Sequence, residues 1–129
     1  MRRLGREMLK TMQLLIEHGA DVNAVDGSHS TPLHEASAWA DGETVPLLLK
    51  HGADVHAGDL NYSTPLHLSL SEGKAAQLLI EHGADVNARD GNYKTPLHLI
   101  FSWVSENAVI LSHWVDVVYR PTALGYRFG

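Results

Sequence analysis

Nine histidines in a chain of 129 residues are the first invitation to chemistry, because imidazole serves both as a metal ligand and as a general base near neutral pH. The most suggestive of them opens the stretch His34-Glu35-Ala36-Ser37-Ala38. A zinc-hydrolase helix places a second histidine four residues after the first, one turn on along the same face, with the glutamate between them as base. Ala38 stands in that place here, so the second ligand is missing. The other histidines do not converge on a site; they recur. His34, His67 and His98 each follow Thr-Pro-Leu, and His18, His51 and His82 each precede Gly-Ala-Asp. Residues that return once per unit at a fixed register are placed by a scaffold. At the third helical position after a capping threonine an imidazole can bond back to the cap, and at a helix end a partly charged ring suits the negative end of the dipole.

The remaining chemistries lack their residues. There is no cysteine, hence no thiolate nucleophile, no thiolate metal site and no disulfide. No phosphate-cradling GxxxxGK[ST] loop and no nucleophile elbow occurs. Asp21, Asp54 and Asp85 belong to a repeated turn phrase rather than to a pair of catalytic carboxylates. The expectation is therefore a protein that is not an enzyme and needs no metal or cofactor.

The elements that position these residues are copies of one unit. Leu14-Leu15-Ile16-Glu17-His18-Gly19-Ala20-Asp21-Val22-Asn23-Ala24 returns unchanged as Leu78 to Ala88, and with three substitutions as Leu47 to Ala57. A second phrase interleaves with it: Thr31-Pro32-Leu33-His34, Thr64-Pro65-Leu66-His67 and Thr95-Pro96-Leu97-His98, spaced by 33 and 31 residues. That is the period of a stacked supersecondary unit, not of a heptad or a hairpin. Met8, Leu9, Met12, Leu15 and Ile16 are apolar at helical spacing, which predicts a helix over 8–18 ended by Gly19. Thr31 is placed to cap a helix with Pro32 at its first position, running to about Ala40. Pro46 must fall in a first turn, so Gly42 or Glu43 should cap the next helix.

From Thr31 to Gly52 there are 21 residues, but from Thr64 to Gly83 only 19. The loss belongs between Leu70 and Ala76, in a shortened helix end or a connector around Ser71, Glu72 and Gly73. In the last copy Asp116-Val117-Val118 replaces Gly-Ala-Asp, and Ser105-Glu106-Asn107 is placed to cap a final, strongly apolar helix through Trp114 to about Tyr119.

The two interleaved phrases resemble the ankyrin repeat, whose signature is Thr-Pro-Leu-His at a period near 33 residues. The resemblance covers residues 8 to about 111 and implies an all-α solenoid of stacked helix-turn-helix units with short β-hairpin-like loops. On that reading residues 1–129 form a single domain. It has an N-terminal half repeat (1–25), a repeat (26–58), a shortened repeat (59–89), a degenerate C-terminal repeat (90–119) and a tail (120–129).

The resemblance further implies a non-catalytic protein-protein interaction module, with the partner lying against the loop tips and inner helices on the concave face. By position this selects Ser28, Ser30 and Trp39, then Asn61, Tyr62 and Ser63, then Asn92, Tyr93, Lys94 and Trp103. His29, Tyr62 and Tyr93 stand where the family has a loop glycine. Because Cβ resists positive φ, the turn is expected to use Gly27, Asn61 and Gly91-Asn92 instead. The rings then either line up as a contact row or stack on each other as a structural ladder.

Two other readings accompany the first. Asn23 after Leu15, and Asn87 after Leu79, match the spacing favoured by the asparaginyl hydroxylase that modifies ankyrin repeats. The half repeat and the apolar last helix would also suit a self-associating fragment of a longer array, with a homodimer through the terminal helices. The net charge of −5 and the absence of a broad basic footprint disfavour nucleic acid. No apolar run approaches the ~18 residues that span a bilayer, and no signal peptide is read at the N-terminus. An intracellular protein, cytoplasmic or nuclear, is the expectation.

Overall fold

A computed structural model describes residues 2–39, 42–70 and 73–106, with the side chains of 5–39, 42–70 and 73–102. Two compact bodies divide the chain, Met1–Pro96 and Leu97–Gly129. Among the described residues there are six helices: α1 (Arg2–Glu17), α2 (Pro32–Ala38), α3 (Thr44–Lys50), α4 (Pro65–Leu68), α5 (Gly73–Glu81) and α6 (Pro96–Glu106). None of them is long and apolar enough to cross a membrane. The expected final helix to Tyr119, Trp114 and the tail 120–129 lie outside the described residues, as do Ser71 and Glu72.

The inner helices start as the threonine phrase dictates. Thr31 is extended (φ −95°, ψ 165°), its hydroxyl accepts the His34 N–H, and its own N–H donates to His34 Nδ1 at 3.1 Å. Thr64 and His67 make the same reciprocal cap, with the Thr64 N–H donating to Nδ1 at 3.0 Å. Each cap satisfies two backbone or side-chain groups at a helix start, and the proline that follows has no N–H to lose. Glu43 precedes α3, which leaves Pro46 in the first turn where it breaks no helical bond. α1 begins six residues earlier than its apolar pattern indicates. The two-residue loss shows in α4, which has four residues where α2 has seven. Ser69 closes that short helix, its hydroxyl donating to the Leu66 carbonyl at 2.9 Å.

The second helix of each unit ends at a glycine with left-handed backbone: Gly19, Gly52 and Gly83 have φ of 94°, 87° and 91°. The alanine after each donates back to the last turn, Ala20 to Leu15, Ala53 to Leu48 and Ala84 to Leu79. This satisfies carbonyls that the helix leaves orphaned. His18 and His82 add an Nδ1–H bond to the carbonyls of Leu14 and Leu78, at 2.8 and 2.9 Å.

Within the first body, α2 packs on α3 and α4, α4 on α5, and α3 on α5. Inner helices thus lie side by side, each backed by the second helix of its unit. Leu33, Ala36, Val45, Leu48, Leu49, Val55, Leu66, Ala75 and Leu79 form one core.

The connecting loops differ from those the resemblance implies. Among the described residues there is no β-strand, and the fingers, the loops 26–30, 59–63 and 90–94, are not β-hairpins. Each finger is closed locally: Asp26 N–H donates to the Ser30 carbonyl and His29 N–H to the Asp26 carbonyl, with the same pair at Asp59 and at Asp90. A single backbone bond links successive fingers, Leu60 N–H to the Ser28 carbonyl and Gly91 N–H to the Asn61 carbonyl. One bond per junction is too few to build a ladder.

Candidate functional site at the finger tips

The aspartate that opens each finger sets its shape. The Asp26 carboxylate accepts the N–H groups of Ser28 (2.8 Å) and Ser30 (3.0 Å). Asp59 accepts those of Asn61 and Ser63, both at 2.9 Å, and Asp90 those of Asn92 (2.8 Å) and Lys94 (2.9 Å). The N–H bonds from Ser30 and Ser28 hold the Asp26 carboxyl below its ordinary range. Burial pushes the Asp90 carboxyl up, but the N–H groups of Lys94 and Asn92, with the charge of Lys94, outweigh it and the net shift is downward.

With the third and fifth positions of the finger tied to these bonds, the fourth must turn the chain back. His29, Tyr62 and Tyr93 have φ of 57°, 58° and 62°. Positive φ was expected at Gly27, Asn61 and Gly91-Asn92, and the structure corrects this. The left-handed conformation costs a residue with a Cβ about 1–2 kcal/mol, and two charge-assisted bonds to each aspartate outweigh that cost. Gly91 serves the junction instead. A Cβ there would lie 3.2 Å from the Asn61 carbonyl oxygen, so glycine allows the two fingers to approach.

The three left-handed residues project into solvent. Tyr62 is 70% exposed, Tyr93 78%, and His29 is exposed. Rings so open do not cover one another as a stacked ladder would require. Ser28, Asn61 and Asn92 lie exposed beside them. Ser30 is half-buried and its hydroxyl donates to Glu35 at 3.3 Å.

Two of the residues selected by position lend their backbone carbonyls to the scaffold. Ser63 is buried, and its carbonyl accepts His34 Nε2–H at 2.7 Å. The Lys94 carbonyl accepts His67 Nε2–H at 2.9 Å. Because Thr31 and Thr64 donate to Nδ1, that nitrogen is the acceptor and Nε2 carries the proton. Each histidine therefore ties one helix start to the next finger. Among the described residues no group of three or more His, Asp or Glu is placed to hold a metal ion.

Asn23 performs a similar service between second-helix loops, its amide donating to the Gly52 carbonyl (3.0 Å) and accepting the Asp54 N–H (2.8 Å). Asn87, at the same register, is exposed. Trp39 follows α2 and is 78% exposed. It edges a groove of about 750 Å³ lined by Met8 and Met12 of α1, Pro32 and Ala36 of α2, and Leu48 of α3. Trp103 lies in α6, and its side chain falls outside those described.

Helix pairs stacked through buried histidines, with exposed side chains on locally closed fingers, define a repeat scaffold. The family model described as Ankyrin repeats (3 copies) matches residues 40–111, and that described as Ankyrin repeats (many copies) matches residues 2–49. The chain belongs to the ankyrin-repeat family. Members of this family are typically non-catalytic and serve protein-protein interaction. No curated protein matches the chain.

Proposed function

We propose that the fingers bind a protein partner, with Tyr62 and Tyr93 as anchors and Ser28, Ser30, Asn61, Asn92 and Lys94 supplying polar contacts around them. Trp39 adds to this surface from the end of an inner helix, and Trp103 is its counterpart by position in α6. The observation that supports the reading is the placement of large aromatic side chains, open to solvent, on left-handed backbone where glycine would be free of strain. Packing within the chain does not account for rings that are 70% and 78% exposed. Tyrosine is a rigid, amphipathic anchor that binds at low entropic cost, and it is enriched at interface hot spots.

Affinity capture from source-cell lysate tests the proposal, comparing the native chain with a Tyr62→Gly, Tyr93→Gly pair. Glycine relieves the backbone and keeps the finger's shape, so a folding defect does not intervene. A protein retained by the native chain and lost by the pair is the expected result. An identical captured set from both overturns the finger-tip reading.

A further inference from the structure

The loops that follow the second helices repeat one phrase but differ at one position. Asn23 and Asn87 hold that position in the first and third copies, and His56 holds it in the middle one. Asn23 spans the gap to the next loop with both ends of its amide: the NH2 donates to the Gly52 carbonyl at 3.0 Å, and the oxygen accepts the Asp54 N–H at 2.8 Å. The groups in the same register one repeat on are the Gly83 carbonyl and the Asp85 N–H. Among the described residues neither bonds to His56, whose side chain is exposed and makes no hydrogen bond.

The ring explains the gap. An amide carries its donor and its acceptor on one carbon, side by side and aimed the same way, which matches a backbone carbonyl and an N–H on a neighbouring loop. The two nitrogens of imidazole diverge across a rigid ring, so a histidine that meets one of those groups turns away from the other.

The front of the same junction is tied. His34 Nε2–H donates to the Ser63 carbonyl at 2.7 Å, and the Leu60 N–H to the Ser28 carbonyl at 3.1 Å. Behind these ties α2 packs on α4, and α3 on α5. The repeats 26–58 and 59–89 are thus joined at the fingers and helices, while the back loops lack the clamp that joins 18–24 to 51–57.

We propose that this junction is a hinge: the loop 82–88 parts from and closes on the loop 51–57 about the line of front ties, and His56 is the residue that leaves it free. The loops 18–24 and 51–57, clamped by Asn23, move together. Because the pivot lies at the fingers, the motion changes the angle between two repeats while Tyr62 keeps its register beside His29. The hinge does not rest on the fingers as a binding site. A Tyr62→Gly, Tyr93→Gly pair leaves it intact, so the two proposals fail separately.

NMR relaxation dispersion on the native chain and on His56→Asn tests the proposal. The variant restores the amide at an exposed position, and solvent exchange of the Asp85 N–H reports whether the clamp has formed. In the native chain the amides of Ala84 to Ala88 should show microsecond-to-millisecond exchange, and those of Ala53 to Ala57 should not. In His56→Asn the dispersion should vanish, and the Asp85 N–H should exchange with solvent about tenfold more slowly. Equal dispersion in the two native loops, or none in either, overturns the proposal. So does dispersion that persists in His56→Asn once the Asp85 N–H is protected, because the clamp then does not govern the motion. An Asp85 N–H that stays unprotected in His56→Asn overturns it as well, because the two loops then do not come within reach of each other.

Discussion

Residues Leu14 to Ala24 and Leu78 to Ala88 are the same eleven amino acids, and the fold treats them differently. In the first copy Leu15 is 57% exposed while Ile16 and Val22 are half-buried against the core. In the third, Leu79 is fully buried while Ile80 and Val86 are 47% and 48% exposed. The middle copy, covered on both sides, buries all three positions: Leu48, Leu49 and Val55 are 3%, 8% and 7% exposed. The local sequence sets the helix, its glycine stop and its histidine. What becomes core is decided by the neighbouring repeat, as nearest-neighbour coupling in a linear array requires.

The sharpest way to break this comparison is to remove the same leucine from both copies. Leu79→Ala should cost about 3 kcal/mol of unfolding free energy by denaturant titration, because it empties a buried site. Leu15→Ala, in an identical local sequence, should cost less than about 1 kcal/mol. Equal costs would mean that helix propensity, not packing, stabilises the array. The histidines offer a second contrast of the same kind. His34→Ala leaves the Ser63 carbonyl and the Thr31 N–H without their partner and should cost about 2 kcal/mol. His18→Ala removes only an exposed bond to the Leu14 carbonyl and should fall within about 0.5 kcal/mol.

A smaller effect, of opposite sign, is expected at the fingers. Tyr62→Gly relieves left-handed strain and should leave the melting temperature unchanged or raise it, by up to about 1 kcal/mol in stability, while weakening partner capture. A clear loss of stability would show that the ring packs within the fold. The smallest effect concerns acid. The carboxyls of Asp26 and Asp90 are depressed in the folded state, so their contribution is complete above the ordinary carboxyl value of about 4 and is lost as pH falls through the folded values. Melting temperature should therefore decline below about pH 4. Asp90→Asn should be less stable than the native chain at neutral pH and show a shallower decline.

Much of this was legible in the sequence. The interleaved phrases give the period, Thr31 and Thr64 give the caps, and Pro46 constrains the start of α3. The finger conformation was not, because the Cβ penalty at His29, Tyr62 and Tyr93 is only one side of the balance. The counterweight was visible as Asp26, Asp59 and Asp90, one per finger. Their two accepted N–H bonds depend on a loop geometry that a residue string does not display. Ser63 looked like a surface residue by position, and its burial follows from a bond to a histidine 29 residues away. The groove beside α1 is tertiary in origin, since it depends on what packs against α1 and not on the residues of α1 alone.

Native-state hydrogen exchange by NMR, at a concentration too low for self-association, tests the central claim most directly. The two identical segments share the same intrinsic exchange chemistry, so any difference in protection reports their surroundings. The amides of Leu78 to Glu81 in α5 should exchange only with global unfolding, and those of Leu14 to Glu17 in α1 faster, through local opening. Equal protection of the two segments would contradict the account.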